Sequence, residues 1–287
     1  MARQPVPVPK PASQHPSLHP PQYLERPEGR LAYDDQGTGP LVVLVPGLGD
    51  LRSEYRFLAP QLVEAGFRVI SLDLRGHGQS DMGWSDYRAS AVGSDVIALI
   101  EHLNEGPALI VGTSMGAAAA VWAAAERREA VAGLALVGPF VRDVPQPLHK
   151  RLLQGAMLRL VLSNPLAPKL WGAAFRSFHR ILPADFDEHR ARLVANLSEP
   201  GRLDALRGMI FASKAEIEAR LALVKAPVRV VMGTADPDFA DPAAEAAFVA
   251  QRLGGSIMMV EGAGHYPHVE SPGPVAADLV AFFKRVR

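Results

Sequence analysis

Two hydrophobic patterns alternate along most of this chain. Short strand-like runs, largely apolar, occur at residues 41–45 (LVVLV), 68–73 (RVISLD), 108–111 (ALIV) and 131–137 (VAGLALV). Between them lie longer segments in which apolar residues recur every three or four positions. Tyr55, Leu58 and Leu62 give such a face to residues 53–65. Val92, Val96, Leu99 and Leu103 give one to residues 87–103, and an alanine-rich stretch fills 115–128. A strand covered on both faces needs no polar side, so its run is continuous. A helix lying on a sheet needs only a stripe. The alternation therefore predicts an α/β fold, a mostly parallel, doubly wound sheet with helices on both faces.

From residue 142 to 226 the strand-like runs stop. Helical segments are predicted at 148–162, 168–179, 184–197 and 203–223. The alternation then resumes with a strand at 228–232, a helix at 242–253, a strand at 256–260 and a last helix at 272–287. An all-helical block within an α/β pattern predicts an inserted subdomain, a helical cap over 142–226. The core is then formed by residues 30–141 and 227–287. No repeat with a period of 20–50 residues is present.

Residues 1–29 fit neither pattern. They carry eight prolines and no apolar run long enough for a secretory signal. Such composition predicts an extended, flexible leader on the surface. No two of its prolines stand three apart, so the P-x-x-P pattern of proline-recognition ligands is missing.

Composition narrows the function classes. The formal net charge is zero, from 30 basic and 30 acidic residues, which gives none of the basic footprint of a nucleic-acid binder. No uninterrupted apolar stretch is long enough for a membrane span. Cysteine is absent, which removes disulfides, thiolate metal sites and a cysteine nucleophile together. With the missing signal, this makes the cytoplasm the expected location. Composition does not fix the oligomeric state.

Four loops carry candidate chemistry. Gly112-Thr-Ser114-Met115-Gly116 follows a predicted strand and opens a predicted helix. In that context G-x-S-x-G is a tight turn that lifts the serine hydroxyl above the sheet edge. The helix start beneath it supplies free N–H groups, and the Met115 amide is a candidate oxyanion donor. Pro46-Gly47-Leu48-Gly49 follows the first strand of the core. Pro46 has no N–H, so Leu48 is the candidate for the second donor. Asp236, within Gly233-Thr-Ala-Asp236-Pro, follows the strand at 228–232 and falls at the same edge as Ser114. Asp238 and Asp241 are its rivals, and Asp241 also suits a helix N-cap. His265, within Gly262-Ala-Gly-His265, is the candidate general base, with His268 as rival.

These motifs, together with the arginine–glycine turn Asp73-Leu-Arg-Gly-His77-Gly-Gln-Ser80, resemble the α/β-hydrolase fold, and within it the esterase and lipase-like group with a helical cap. The resemblance runs from residue 31 to 287. It implies a catalytic triad of Ser114, Asp236 and His265, in the chain order this architecture uses. His77 is read as a loop residue. Two positions depart from the family pattern. Pro46 stands where a histidine is common, and Ala117 replaces a frequent third glycine. Neither removes a triad group.

The resemblance fixes chemistry better than substrate. Carboxylic ester hydrolysis is the simplest reading. Serine at 114 argues against the relatives with an aspartate nucleophile, and Leu48 against the cofactor-free perhydrolases and haloperoxidases, which usually carry an aromatic residue there. Carbon–carbon bond hydrolysis and a non-catalytic, ligand-binding receptor are competing readings. Met157, Leu158, Val161 and Leu162 cluster on one cap segment; Trp171, Phe175 and Phe178 recur at helical spacing on another. Packing of the cap explains such faces. Alternatively Trp171 and Phe175 line an apolar substrate pocket. No metal-ligand spacing and no phosphate or dinucleotide loop is present, so no metal and no cofactor are expected. The expected partner is a small molecule with an apolar part.

Overall fold

The apolar runs become the central strands of one sheet. The computed structural model describes residues 20–144 and 147–286. Among them, eight strands are ordered β1-β2-β4-β3-β5-β6-β7-β8. They are β1 (Gln22–Arg26), β2 (Gly29–Gln36), β3 (Leu41–Val45), β4 (Arg68–Leu72), β5 (Ala108–Thr113), β6 (Val131–Val137), β7 (Val228–Gly233) and β8 (Ser256–Val260). All pairs from β4 to β8 are parallel, whereas β2 is antiparallel to both β1 and β4.

Alternation along β3 divides its side chains between two cores, as a pleated strand requires. Leu41, Val43 and Val45 face the core shared with α2 (Ala89–Leu103), α3 (Met115–Glu126) and α9 (Pro242–Leu253). Val42 and Leu44 face the opposite core, shared with α1 (Leu58–Glu64) and α11 (Pro272–Val286). Helix α3 lies under the sheet centre and packs closely on α2. A Cβ on Gly93 would fall 2.8 Å from the Ala119 carbonyl oxygen. Small side chains on α3 allow that approach, which explains the alanine run.

The block between β6 and β7 is helical, with α4 (Leu148–Ser163), α5 (Ala167–Phe175), α6 (Phe186–Leu197), α7 (Arg202–Ile210) and the single turn α8 (Ala215–Glu218). The segment expected as one helix over 203–223 is therefore broken, and the connection between α7 and α8 carries Lys214. The helix expected over 53–65 is likewise split into a 3-10 turn at Arg52–Tyr55 and α1. A short helix, α10 (Pro267–Glu270), precedes α11.

The leader is shorter than the sequence suggested. Its end, Gln22–Arg26, is β1, which pairs with β2 in register Leu24 to Leu31. Leu24 is buried against the core. Only one apolar residue of β1 points inward, so no run marked it as a strand. Residues 1–19 of the expected leader lie outside the described residues. No helix among the described residues is long and apolar enough to cross a membrane.

Candidate active site

Ser114 occupies the turn between β5 and α3 at φ 55° and ψ −115°. A non-glycine residue holds that conformation only where its surroundings over-determine it. Here the Ser114 N–H donates to the Val137 carbonyl at 2.8 Å. A Cβ on Gly112 would meet the Gly116 carbonyl oxygen at 2.4 Å, and one on Gly116 would meet that of Val45 at 2.2 Å. Both glycines of the motif are thus required by close backbone approach.

The 46–49 loop lies against this turn. A Cβ on Gly47 would stand 3.4 Å from the Ser114 Cβ. Its amides have different fates. Gly47 N–H donates to Glu54 Oε2 at 2.8 Å, and Gly49 N–H donates to His77 Nε2 at 3.2 Å. Neither the Leu48 nor the Met115 amide has an acceptor among the described residues, and both residues line the cavity above Ser114. His77 is buried with Nδ1 on the Arg75 carbonyl at 3.1 Å. Burial holds its pKa down at about 4, so it stays neutral and accepts from Gly49. It supports the loop and does not line the cavity above Ser114.

Asp236 and His265 are brought together by the loops after β7 and β8. His265 Nδ1–H donates to Asp236 Oδ2 at 2.8 Å. Asp238, the rival, stands 3.5 Å away through Oδ2, and its own N–H donates to Asp236 Oδ1 at 3.0 Å. Burial alone would lower the His265 pKa, but the Asp236 charge and hydrogen bond, with Asp238 behind them, push it up to about 9. Burial raises the Asp238 carboxyl pKa against the opposing pull of His265. The other rivals go elsewhere. Asp241 Oδ1 accepts from Ala244 N–H at 2.9 Å as the N-cap of α9. His268 is fully buried behind the loop, 3.0 Å from Glu54 Oε1. Asp236, Asp238 and His265 offer ligand atoms within 4.8 Å of one another. The 2.8 Å contact between His265 Nδ1 and Asp236 Oδ2 is the geometry of an acid–base pair.

Ser114 and His265 line one cavity of about 600 Å³. No hydrogen bond joins their side chains in this ligand-free arrangement; such contacts often tighten only with substrate. The remaining wall is largely apolar and includes Phe140, Leu158, Leu162, Trp171 and Phe178. Trp171 lines the wall, and its buried Nε1–H has no acceptor among the described residues. Phe175 is a correction. It points away from the cavity into an aromatic cluster, with its ring 5.5 Å from Tyr266 and 6.0 Å from Phe186. Helical spacing put Phe175 and Trp171 near one another in angle, but Phe175 packs with Phe186, Leu193 and Tyr266, whereas Trp171 packs against Leu162, Leu197 and Leu206. Met157 is mostly exposed and also lies off the wall.

Several supporting residues carried no sequence signal. Glu270 accepts from Gly264, Arg180 and Ile181 amides at 2.8–3.0 Å, and the His265 N–H donates to the Phe178 carbonyl at 2.8 Å. The His265 loop is thereby pinned to the helical block. Glu54 supports the 46–49 loop, and Lys214 enters the cavity wall. Each is an isolated charged residue outside any motif, and only its long-range neighbours distinguish it.

A parallel sheet crossed by helices on both faces, with a serine turn between strand and central helix, defines the α/β-hydrolase class of fold. The chain matches the alpha/beta hydrolase family over residues 42–278 and belongs to it. An uncharacterized protein of Mycobacterium tuberculosis is 30% identical over 264 residues, 85% of this chain and 75% of that protein. The 3-oxoadipate enol-lactonase 2 of Acinetobacter baylyi is 28% identical over 218 residues, 76% of this chain and 79% of that enzyme. Among solved structures, a thermophilic esterase from Thermogutta terrifontis superposes with a TM-score of 0.76 at 23% identity, over 93% of this chain and 99% of that one. That last likeness shows the shared fold alone.

Proposed function

We propose that this member of the family hydrolyses carboxylic esters through an acyl-enzyme formed on Ser114. The observation that carries the reading is the Asp236–His265 pair, 2.8 Å apart, with its imidazole lining the same cavity as Ser114. His265 in its neutral form takes the Ser114 Oγ proton as the oxygen attacks the ester carbonyl, and Asp236 stabilises the imidazolium that results. The developing oxyanion is met by the Leu48 and Met115 N–H groups, worth about 3–4 kcal/mol each in acyl transfer. The imidazolium then protonates the leaving alkoxide, and water, deprotonated by the same histidine, releases the acid. The 28% identity to an enzyme named as an enol-lactonase adds support, since a lactone is an internal carboxylic ester. The helical block roofs the cavity as a cap: Leu158, Leu162, Trp171 and Phe178 supply its apolar wall.

The test is hydrolysis of a chain-length series of 4-nitrophenyl esters by the wild type and by Ser114→Ala. Activity that falls by roughly 10⁴–10⁶-fold in the variant supports the reading. A wild type that turns over no ester overturns it and directs attention to carbon–carbon bond hydrolysis on the same serine.

A further inference from the structure

The cavity above Ser114 has one lysine on its wall, apart from the His265 imidazole that is paired with Asp236. Lys214 lies in the connection between α7 and α8, at the N-cap of α8, and lines the cavity together with Ser114 and His265. Its ammonium donates to a single neutral acceptor, the Ala212 carbonyl, at 3.3 Å. Among the described residues it forms no ion pair. Its backbone is nevertheless fixed in place. Asp143 Oδ1 accepts the Lys214 N–H at 3.0 Å, and Asp143 Oδ2 accepts the Ser213 hydroxyl at 2.6 Å. This ties the connection to the chain leaving β6.

The surroundings make this cation unusual. Phe140, Val144, Leu158, Val161 and Ile210 stand on the same wall. Partial burial lowers the Lys214 pKa, with only Asp143 opposing. The one carboxylate on the wall, Asp238, is engaged with His265 at 3.5 Å. An ammonium that has given up part of its hydration, and feels Asp143 only through space without an ion pair, favours an incoming anion. A carboxylate supplies that charge with acceptor geometry suited to a point donor. A cavity of about 600 Å³ leaves room for an apolar spacer between that carboxylate and the bond at Ser114.

We propose that Lys214 forms an anion subsite of this cavity, and that the substrates are carboxylic esters or lactones bearing a second, free carboxylate. The substrate class rests on the ester-hydrolase reading above; the subsite itself does not.

Two matched pairs of esters test it. Monomethyl adipate is compared with methyl hexanoate, and 6-acetoxyhexanoate with hexyl acetate, by titrating released acid. In the wild type, kcat/KM is expected to favour the charged member of at least one pair by 10-fold or more. Lys214→Met is expected to collapse that ratio 10- to 100-fold, chiefly through KM, and Lys214→Arg to restore it to within about 3-fold. A wild type with no preference, or a preference that survives Lys214→Met, overturns the proposal. Calorimetric titration of monomethyl adipate into Ser114→Ala, and into Ser114→Ala with Lys214→Met, separates this inference from the ester reading. Binding by the first and loss of at least 10-fold affinity in the second supports the subsite even if no ester is hydrolysed. Equal binding by both overturns it.

Discussion

His265 is drawn by two carboxylates, and the difference between them sets its working range. Asp236 holds Nδ1 at hydrogen-bond distance, whereas Asp238 acts through space from 3.5 Å. With a pKa of about 9, the imidazole is charged at neutral pH. Under the proposed mechanism, activity carried by the neutral form rises with pH through that value. Asp238→Asn removes one of the charges that raises it. The ascending limb of the kcat/KM profile is expected to move down by about one pH unit. An unmoved limb would show that Asp236 alone sets the value. Position 236 was legible because a carboxylate directly after a strand falls at the site edge. Asp238 falls there too, and spacing alone could not rank the two. The 2.8 Å and 3.5 Å separations do so, because they depend on the path of the loop after β8.

At the scale of elements, α6 is one of the ties between the helical block and the core. His189 Nε2–H donates to Asp50 Oδ1 at 2.9 Å in a buried setting, and Asn196 exchanges two hydrogen bonds of 3.1 Å with the Gly78 backbone. Burial would raise the Asp50 pKa, but the His189 charge and hydrogen bond outweigh it, and the carboxyl is held below its ordinary value. His189→Ala leaves that carboxylate buried without its partner. A loss of about 3 kcal/mol is expected in denaturant unfolding. Faster amide exchange within residues 186–218 should accompany it. If exchange rises equally throughout the sheet, α6 is not the local tie. The sequence placed these helices well where an apolar stripe was continuous, as in α6. It failed between residues 203 and 223, where a turn at Lys214 interrupts the stripe without glycine or proline to mark it. It also missed β1, whose single inward apolar residue, Leu24, gives no pattern.

For the whole molecule, two buried histidines act in opposite directions on stability. The folded pKa of His77, about 4, lies below its ordinary 6.5. Its contribution is present above pH 6.5 and is lost as pH falls toward 4. The folded pKa of His265, about 9, lies above 6.5. Its contribution is full below pH 6.5 and is lost as pH rises through 9. Thermal stability is therefore expected to peak near neutral pH, and His265→Gln should remove part of the alkaline decline. An alkaline decline unchanged in that variant would contradict the assignment. Under the proposed mechanism, activity and stability part company above neutrality, since the neutral imidazole it uses is the less stabilised form. The sequence by itself determined the parallel sheet, the interrupting helical block and the turns that carry Ser114, Asp236 and His265. Those features are written in local periodicity and in glycines that only tight backbone approach requires. The tertiary structure alone decided which carboxylate stands nearer His265, which aromatic of α5 meets the cavity, and which lysine joins its wall without an ion pair among the described residues. Each of those outcomes depends on contacts between segments far apart in the chain, for which no local pattern exists.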